Sequence, residues 1–82
     1  MKKTKIYRVS DDEGWEAIYG NQQLIDFACE RLSYGEVYGD LDEERYDRVL
    51  AEYEETGTIK DVKDAYFIVE TDNWYIEEIE VY

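Results

Sequence analysis

The chain has 82 residues, which is enough for one domain (residues 1–82) with a small hydrophobic core. Hydrophobic residues make up 44% of the sequence, too many for a disordered acidic tail. Nine Lys and Arg residues stand against 22 Asp and Glu, so the formal net charge is −13. This charge argues against direct binding to nucleic acid or to an anionic membrane, because both require cations on the protein. It favours a basic protein as the partner.

Residue types that carry common chemistry are scarce. The sequence has no histidine, which removes the commonest general base and metal ligand. Cys29 is the one cysteine, and its place on an apolar helix face favours a buried structural thiol. A calcium loop counted from Asp40 fails, because Arg45 and Ala51 occupy the positions that need glycine and glutamate. We therefore expect no enzyme activity, no metal and no cofactor.

Cellular location is predicted from the same features. A lone cysteine is typical of a reducing cytosol. Met1–Lys5 is basic, but no apolar run follows it, so it does not predict a secretory signal. No segment approaches the ~18 apolar residues of a membrane helix. We expect a cytoplasmic protein.

In the first half of the chain, Lys5–Val9 predicts a strand, because it is rich in aromatic and β-branched residues. A turn follows over Ser10–Gly14. Trp15–Tyr19 fits either a second strand or a helical turn. Gln22–Leu32 predicts a helix with Asn21 as its N-cap. The apolar stripe of this helix comprises Leu24, Ile25, Phe27, Ala28, Cys29 and Leu32.

A second helix is predicted to begin after Asp40, an N-cap residue with Glu43 three positions on, as in a capping box. Gly57, directly after Thr56, is a C-terminal stop signal. The predicted inner face of this helix comprises Leu41, Arg45, Tyr46, Val49, Leu50 and Tyr53.

The last third predicts a polar connector over Thr58–Asp64, then strands over Ala65–Thr71 and Trp74–Tyr82, joined by a two-residue hairpin turn at Asp72-Asn73. The last strand alternates imperfectly. Either a bulge shifts its register near Glu77-Glu78, or both of its faces are partly covered. The predicted fold is α+β, an antiparallel sheet of three to four strands with two helices packed on one face, in the order β-β-α-α-β-β.

Acidic residues fall into three groups. The first, Asp11-Asp12-Glu13, lies in the first turn, and the third lies in the last strand. The second follows the second helix and the loop before it. The members of the second group are Glu36, Asp40, Asp42, Glu43, Glu44, Asp47, Glu52, Glu54 and Glu55. The members of the third group are Glu77, Glu78 and Glu80.

The second group has a regular geometry on a helix. Glu43 and Asp47 lie four residues apart on one face with Glu54 further along, and Asp40 and Glu44 begin an adjacent row. One row spaces carboxylates by ~6 Å. Two rows give about one charge per 3 Å, close to the ~3.4 Å between phosphates of one DNA strand.

Tyrosines accompany these acids. Tyr34, Tyr38, Tyr46, Tyr53 and Tyr75 are too many for so small a core, and tyrosine beside carboxylate suits a site for arginine. The alternative is a solvated helix face with half-buried tyrosines. The predicted partner-binding residues are Asp11, Asp12, Glu13, Glu36, Tyr38, Asp40, Asp42, Glu43, Glu44, Tyr46, Asp47 and Glu54.

In size, acidity and aromatic content, and in the stretch from Tyr38 through Asp42-Glu43-Glu44 to Tyr46, the chain resembles small acidic inhibitors carried by phages and other mobile elements. These include anti-CRISPR and antirestriction proteins, several of which mimic DNA. The resemblance implies a protein of the host-cell cytoplasm that occupies the DNA- or PAM-binding cleft of a nuclease and holds its arginines with carboxylates. It transfers no individual residue role.

Two other readings remain open. The chain fits an acidic phage structural or interaction protein that associates through an exposed strand edge ending at Val81-Tyr82, with a partner or as a homodimer. It also fits an ordinary domain of a halophile, which would unfold on desalting. Association through the strand edge would depend little on salt, whereas association driven by charge weakens steeply with ionic strength.

Overall fold

A computed structural model describes residues 4–35 and 42–81. Within these ranges the chain forms β1 (Thr4–Ser10), β2 (Glu16–Tyr19), α1 (Asn21–Ser33), α2 (Glu43–Thr56), α3 (Val62–Thr71) and β3 (Tyr75–Val81). The α+β class is confirmed. The three strands of the described chain fall within the predicted three to four, but the prediction of two helices in the order β-β-α-α-β-β is wrong, because the described chain has three helices in the order β-β-α-α-α-β.

The sheet is antiparallel with strand order β2-β1-β3, so β1 is central. Its Tyr7 and Val9 are buried while Arg8 between them is exposed, because successive residues of a strand point to opposite faces. Val9 lies opposite Ala17 on β2 and Ile76 on β3, which places all three on the core side. For residues 16–19 the strand alternative is therefore correct.

No bulge interrupts β3. Its pairing with β1 runs without a shift from Thr4 opposite Val81 to Ser10 opposite Tyr75. Ile79 lies opposite Ile6, on the face away from the core, which explains the imperfect alternation of apolar residues. Of the two alternatives for β3, the bulge is therefore wrong and partial cover of both faces is right, since Ile76 and Ile79 lie on opposite faces and are both half-buried. The register also places Glu78, opposite Tyr7, on the core side.

The first helix packs on this sheet. Its predicted stripe is confirmed: Leu24, Ala28 and Leu32 are buried, and α1 contacts β1, β2 and α3. The N-cap is Gly20 rather than Asn21. Gln23 Oε1 accepts a hydrogen bond from the Gly20 amide at 2.9 Å, which closes the first turn one residue earlier than predicted.

The second helix is confirmed in place and type. Its N-cap in the structure is Asp42, whose carboxylate accepts a hydrogen bond from the Arg45 amide at 3.2 Å. The predicted N-cap, Asp40, lies outside the described residues. Gly57 ends the helix in the left-handed conformation at φ 79°, as its position predicts. Val49 is buried, and Tyr46, Leu50 and Tyr53 pack against the core.

The predicted strand over Ala65–Thr71 is wrong, because this segment belongs to α3. The Asp61 carboxylate accepts a hydrogen bond from the Lys63 amide at 2.8 Å and caps the helix at its start. Ala65, Ile68 and Val69 are fully buried at helical spacing. The uninterrupted apolar run reflects a helix buried on several sides, a pattern that short apolar strands share.

The predicted hairpin at Asp72-Asn73 is also wrong. These residues end α3 and lead into β3, and Asn73 adopts a left-handed φ of 66°. The Trp74 amide donates to the Val69 carbonyl at 3.3 Å, as in a helix C-terminal cap. In the described ranges, no helix is both long enough and apolar enough to cross a bilayer.

Candidate partner-binding surface

The outward side of α2 carries five exposed carboxylates on one face. Glu43, Glu44, Asp47, Glu54 and Glu55 are all exposed. At about 100° per residue they fall within one third of the helix circumference, opposite the core-facing Val49. We call these five residues the acidic arc.

Neither arginine of α2 forms an ion pair with the acidic arc, although the exposed Arg48 lies next to it on the helix surface. Arg45 donates to Asp64 Oδ1 on α3 from Nη2 at 3.1 Å and from Nε at 3.3 Å. Arg48 Nη2 approaches the same oxygen at 3.9 Å. Within residues 4–35 and 42–81, no cation forms an ion pair with a carboxylate of the acidic arc. The charge of the acidic arc is therefore directed to solvent.

At the C-terminal end of α2, the charge of the acidic arc is unfavourable to the helix dipole. Glu43 and Glu44 lie in the first turn of α2, where a negative charge is favourable. Glu54 and Glu55 lie in the last turn, which has no basic residue and where the dipole favours a cation. These two side chains therefore oppose helix stability.

The acidic arc extends about 18 Å along the helix axis, from twelve residues at about 1.5 Å each. Its carboxylates are not evenly spaced: Glu43, Glu44 and Asp47 form one cluster, and Glu54 and Glu55 form another about 10 Å further along. Asp42 adds a sixth exposed carboxylate at the N-terminal end. The average spacing of about 4 Å is slightly wider than the ~3.4 Å of the phosphates in one DNA strand.

The first acidic group, Asp11-Asp12-Glu13, partly serves to build the fold. Asp11 Oδ1 accepts hydrogen bonds from the amides of Glu13 and Trp15, each at 2.9 Å, so this carboxylate builds the β1–β2 turn. The neighbouring Asp12 carboxylate raises the pKa of the Tyr75 hydroxyl. Glu13 is exposed. The turn borders Trp74 in the connection from α3 to β3, so the structure does not bring it into the acidic arc.

The glutamates of β3 are partly neutralised by the central strand. Arg8 Nη2 lies 3.6 Å from Glu77 Oε2, and Lys5 Nζ lies 3.2 Å from Glu78 Oε1. This third acidic group therefore presents less uncompensated charge than the acidic arc.

Tyr46 belongs both to the predicted inner face of α2 and to the predicted partner-binding residues. It is half-buried and packs against the core, so it lies beside the acidic arc and not within it. Burial, then the carboxylates of Asp47, Asp72 and Glu54, raise the pKa of its hydroxyl. Glu36, Tyr38 and Asp40 lie outside the described residues.

Sequence reasoning omitted Glu55 from the predicted site residues. Its signal was available, because it follows Glu44 by eleven residues, or about three helical turns, and so returns to the same face.

The described ranges show neither a metal-binding cluster nor a thiol with a lowered pKa. No group of three or more Cys, Asp or Glu residues there is arranged to hold a metal ion. Cys29 is half-buried, and burial raises the pKa of its thiol, which lowers its reactivity at neutral pH.

Comparison with known proteins finds no matching family model, no matching curated protein and no matching solved structure.

Proposed function

We propose that the protein is a non-enzymatic inhibitor that binds the basic nucleic-acid-binding cleft of a DNA-binding nuclease, of the anti-CRISPR or antirestriction type, by mimicking the charge of DNA. The acidic arc is the binding surface, and the host cytoplasm is where it acts.

One observation carries the proposal: the exposed carboxylates of α2 have no counter-ion among the described residues, while the arginines of the same helix pair with Asp64. A merely solvated helix face would gain stability from cations in its last turn. Here Glu54 and Glu55 occupy that turn, so their placement favours a role in binding.

Competition with DNA is the mechanism. Arginines and lysines that grip phosphates or read guanine edges would instead form ion pairs with the acidic arc. Because α2 is anchored by Val49 and by the Arg45–Asp64 pair, the backbone positions that carry the carboxylates are set before binding. Such preorganisation reduces the entropy lost on association.

The test is inhibition of DNA binding and cleavage across a panel of restriction and RNA-guided nucleases. A triple variant, Glu43→Gln with Asp47→Asn and Glu54→Gln, removes three charges from the acidic arc. We expect at least a tenfold rise in the concentration that inhibits a sensitive nuclease, since hydrogen bonds to charged groups contribute about 1.5–3 kcal/mol each.

A matched variant removes three exposed charges elsewhere: Asp26→Asn, Glu30→Gln and Glu70→Gln. Each substitution in both variants keeps a side-chain oxygen. We expect the matched variant to inhibit within about twofold of the parent. Equal losses in both variants would assign the effect to net charge and not to the acidic arc, and failure to inhibit any nuclease would refute the inhibitor proposal.

A second candidate function is association through β3, and a specific observation favours it. β3 is an edge strand, and its Tyr75 and Val81 are 61% and 43% exposed. Unpaired strand edges are pairing surfaces for another strand. Complexes formed this way would persist as salt rises, whereas binding through the acidic arc would weaken steeply.

A further inference from the structure

A cavity of about 400 Å³ opens between the sheet and the α2–α3 pair, on the side of α2 that faces away from the acidic arc. Its volume falls within the range of small-molecule sites. Its walls come from β1, α2, α3 and β3, and the lining residues are Lys5, Tyr7, Arg45, Val62, Lys63, Tyr66 and Glu78.

The lining concentrates cations in a strongly acidic protein. Three of the nine basic residues, Lys5, Arg45 and Lys63, meet at this one cavity, where Glu78 is the single acidic lining residue. Glu78 pairs with Lys5 at 3.2 Å. Lys63 forms no ion pair with any residue in the described ranges.

Arg45 is fixed in position at the cavity wall. Besides its bonds to Asp64, it donates from Nη2 to the Lys63 carbonyl at 3.2 Å, and its guanidinium lies 4.6 Å from the centre of the Phe67 ring. Asp64 compensates part of its charge. The cation is therefore oriented before any ligand arrives, so little conformational entropy is lost on binding.

Tyr7 supplies an independent indication of a ligand. Its side chain is only 3% exposed, yet its hydroxyl makes no hydrogen bond within the described ranges. No fully buried polar side-chain atom there lacks a partner, so this hydroxyl must reach the cavity that its residue lines. Burial, and then the Glu78 carboxylate, raise the pKa of Tyr7, so the hydroxyl remains a donor at neutral pH.

We propose that this cavity binds a small organic phosphate. The phosphate group is held by Lys63, Lys5 and the Tyr7 hydroxyl, with Arg45 contributing charge from the wall. Val62 and the Tyr66 ring form the apolar wall for the organic part. The Tyr66 hydroxyl already donates to the Ile76 carbonyl at 3.3 Å, which fixes its ring. Lys63 is the cation without an ion pair in the described ranges, and Lys5 and Arg45 share their charge with Glu78 and Asp64. Several N–H donors and a neutral hydroxyl donor suit the many acceptor oxygens of a phosphate better than a single carboxylate.

The experiment is a titration of the whole protein with phenyl phosphate, followed by amide chemical shifts and by calorimetry. We expect saturable binding with shifts concentrated at the cavity-lining residues. Lys63→Gln and Tyr7→Phe should each weaken binding about tenfold. Lys60→Gln is the matched control, because it removes the same charge from an exposed neighbour outside the cavity, and it should stay within about twofold.

Two further titrations, with inorganic phosphate and with phenylacetate, identify which chemical group of the ligand is bound. Inorganic phosphate should shift the same amides but bind more weakly, because it lacks a group for the apolar wall. Phenylacetate should bind more weakly than phenyl phosphate; equal or tighter binding would overturn the assignment to phosphate. Non-saturating or dispersed shifts, or an equal loss in Lys60→Gln, would overturn the site. If Tyr7→Phe proves misfolded by its amide spectrum, the comparison of the two lysine variants decides alone.

Discussion

Individual acidic residues of this protein divide into those that hold the fold and those that face solvent. Asp72 has a side chain only 3% exposed, and its Oδ2 accepts hydrogen bonds from Arg31 Nε at 2.5 Å and from Trp74 Nε1 at 2.8 Å. Asp64 likewise holds Arg45. Removing one partner of such a partly buried pair leaves the other charge uncompensated, which costs more than breaking an exposed pair that contributes about 0–1 kcal/mol. Arg31 and Arg45 are held by these partly buried aspartates, so they do not compensate the outer carboxylates of α2.

Buried tyrosines predict how stability changes at alkaline pH. Burial raises the pKa of Tyr7, Tyr19, Tyr46 and Tyr66 above 10.0. A raised pKa means that the folded state holds the proton more tightly, so this contribution is fully present below about pH 10 and is lost as pH rises through the folded-state values. We expect the free energy of unfolding in urea to fall between about pH 9 and about pH 12.

Tyr19→Phe tests the cause, because phenylalanine keeps the ring and cannot ionise. Its free energy of unfolding should decline less steeply with pH than that of the parent. A parent protein whose stability is unchanged up to about pH 12 would contradict the prediction.

Among the secondary-structure elements, α2 and α3 differ in how strongly local sequence specifies them. α2 has an N-cap aspartate, an inner apolar stripe and a terminal glycine, so it was predictable in type and C-terminal boundary. α3 has the Asp61 cap but an apolar run rich in β-branched and aromatic residues, which favoured a strand. Its helical state follows from packing against α1 and β3, because tertiary burial overrides weak local propensity.

The end of α2 yields a stability prediction. Gly57 has φ 79°, a left-handed conformation that alanine adopts at a cost. We expect Gly57→Ala to reduce the free energy of unfolding by about 1 kcal/mol in urea denaturation. Gly57→Asn is the control, since asparagine adopts the left-handed conformation more readily than alanine. It should cost less than Gly57→Ala, and equal losses would contradict the backbone explanation.

For the whole molecule, the net charge of −13 sets the dominant electrostatic term. Six ion pairs link residues of the described ranges, and the three made by Lys5 and Arg8 are substantially exposed. Repulsion among the remaining carboxylates therefore outweighs attraction, and salt screens both.

Added salt should accordingly stabilise the fold. We expect the melting temperature, followed by circular dichroism, to rise by roughly 4–8 °C per 1 kcal/mol of screened repulsion as sodium chloride increases. The triple variant of the acidic arc should show a smaller rise, because it carries less repulsion to screen. A melting temperature that falls with salt would mean that the ion pairs dominate.

The sequence predicted which helix carries the candidate site better than it predicted which residues belong to the site. Glu43, Glu44, Asp47 and Glu54 share an exposed face because helical spacing alone dictates it. Sequence did not show that Asp11 is used by its own turn, since that depends on the backbone path of the hairpin. Tyr46 was predicted on the inner face of α2, and it does pack against the core, so its inclusion among the binding residues conflicted with its own predicted face.

The amino-acid sequence by itself determined the excess of negative charge, the α+β class and the faces of α1 and α2, because composition and short-range periodicity encode them. Only the tertiary structure decided that residues 62–71 are a helix, that Asp64 captures Arg45, and that Lys5, Tyr7 and Lys63 meet at one cavity. These features join residues far apart in the chain, and the free energy that selects them arises from burial and pairing across elements, which no local pattern contains.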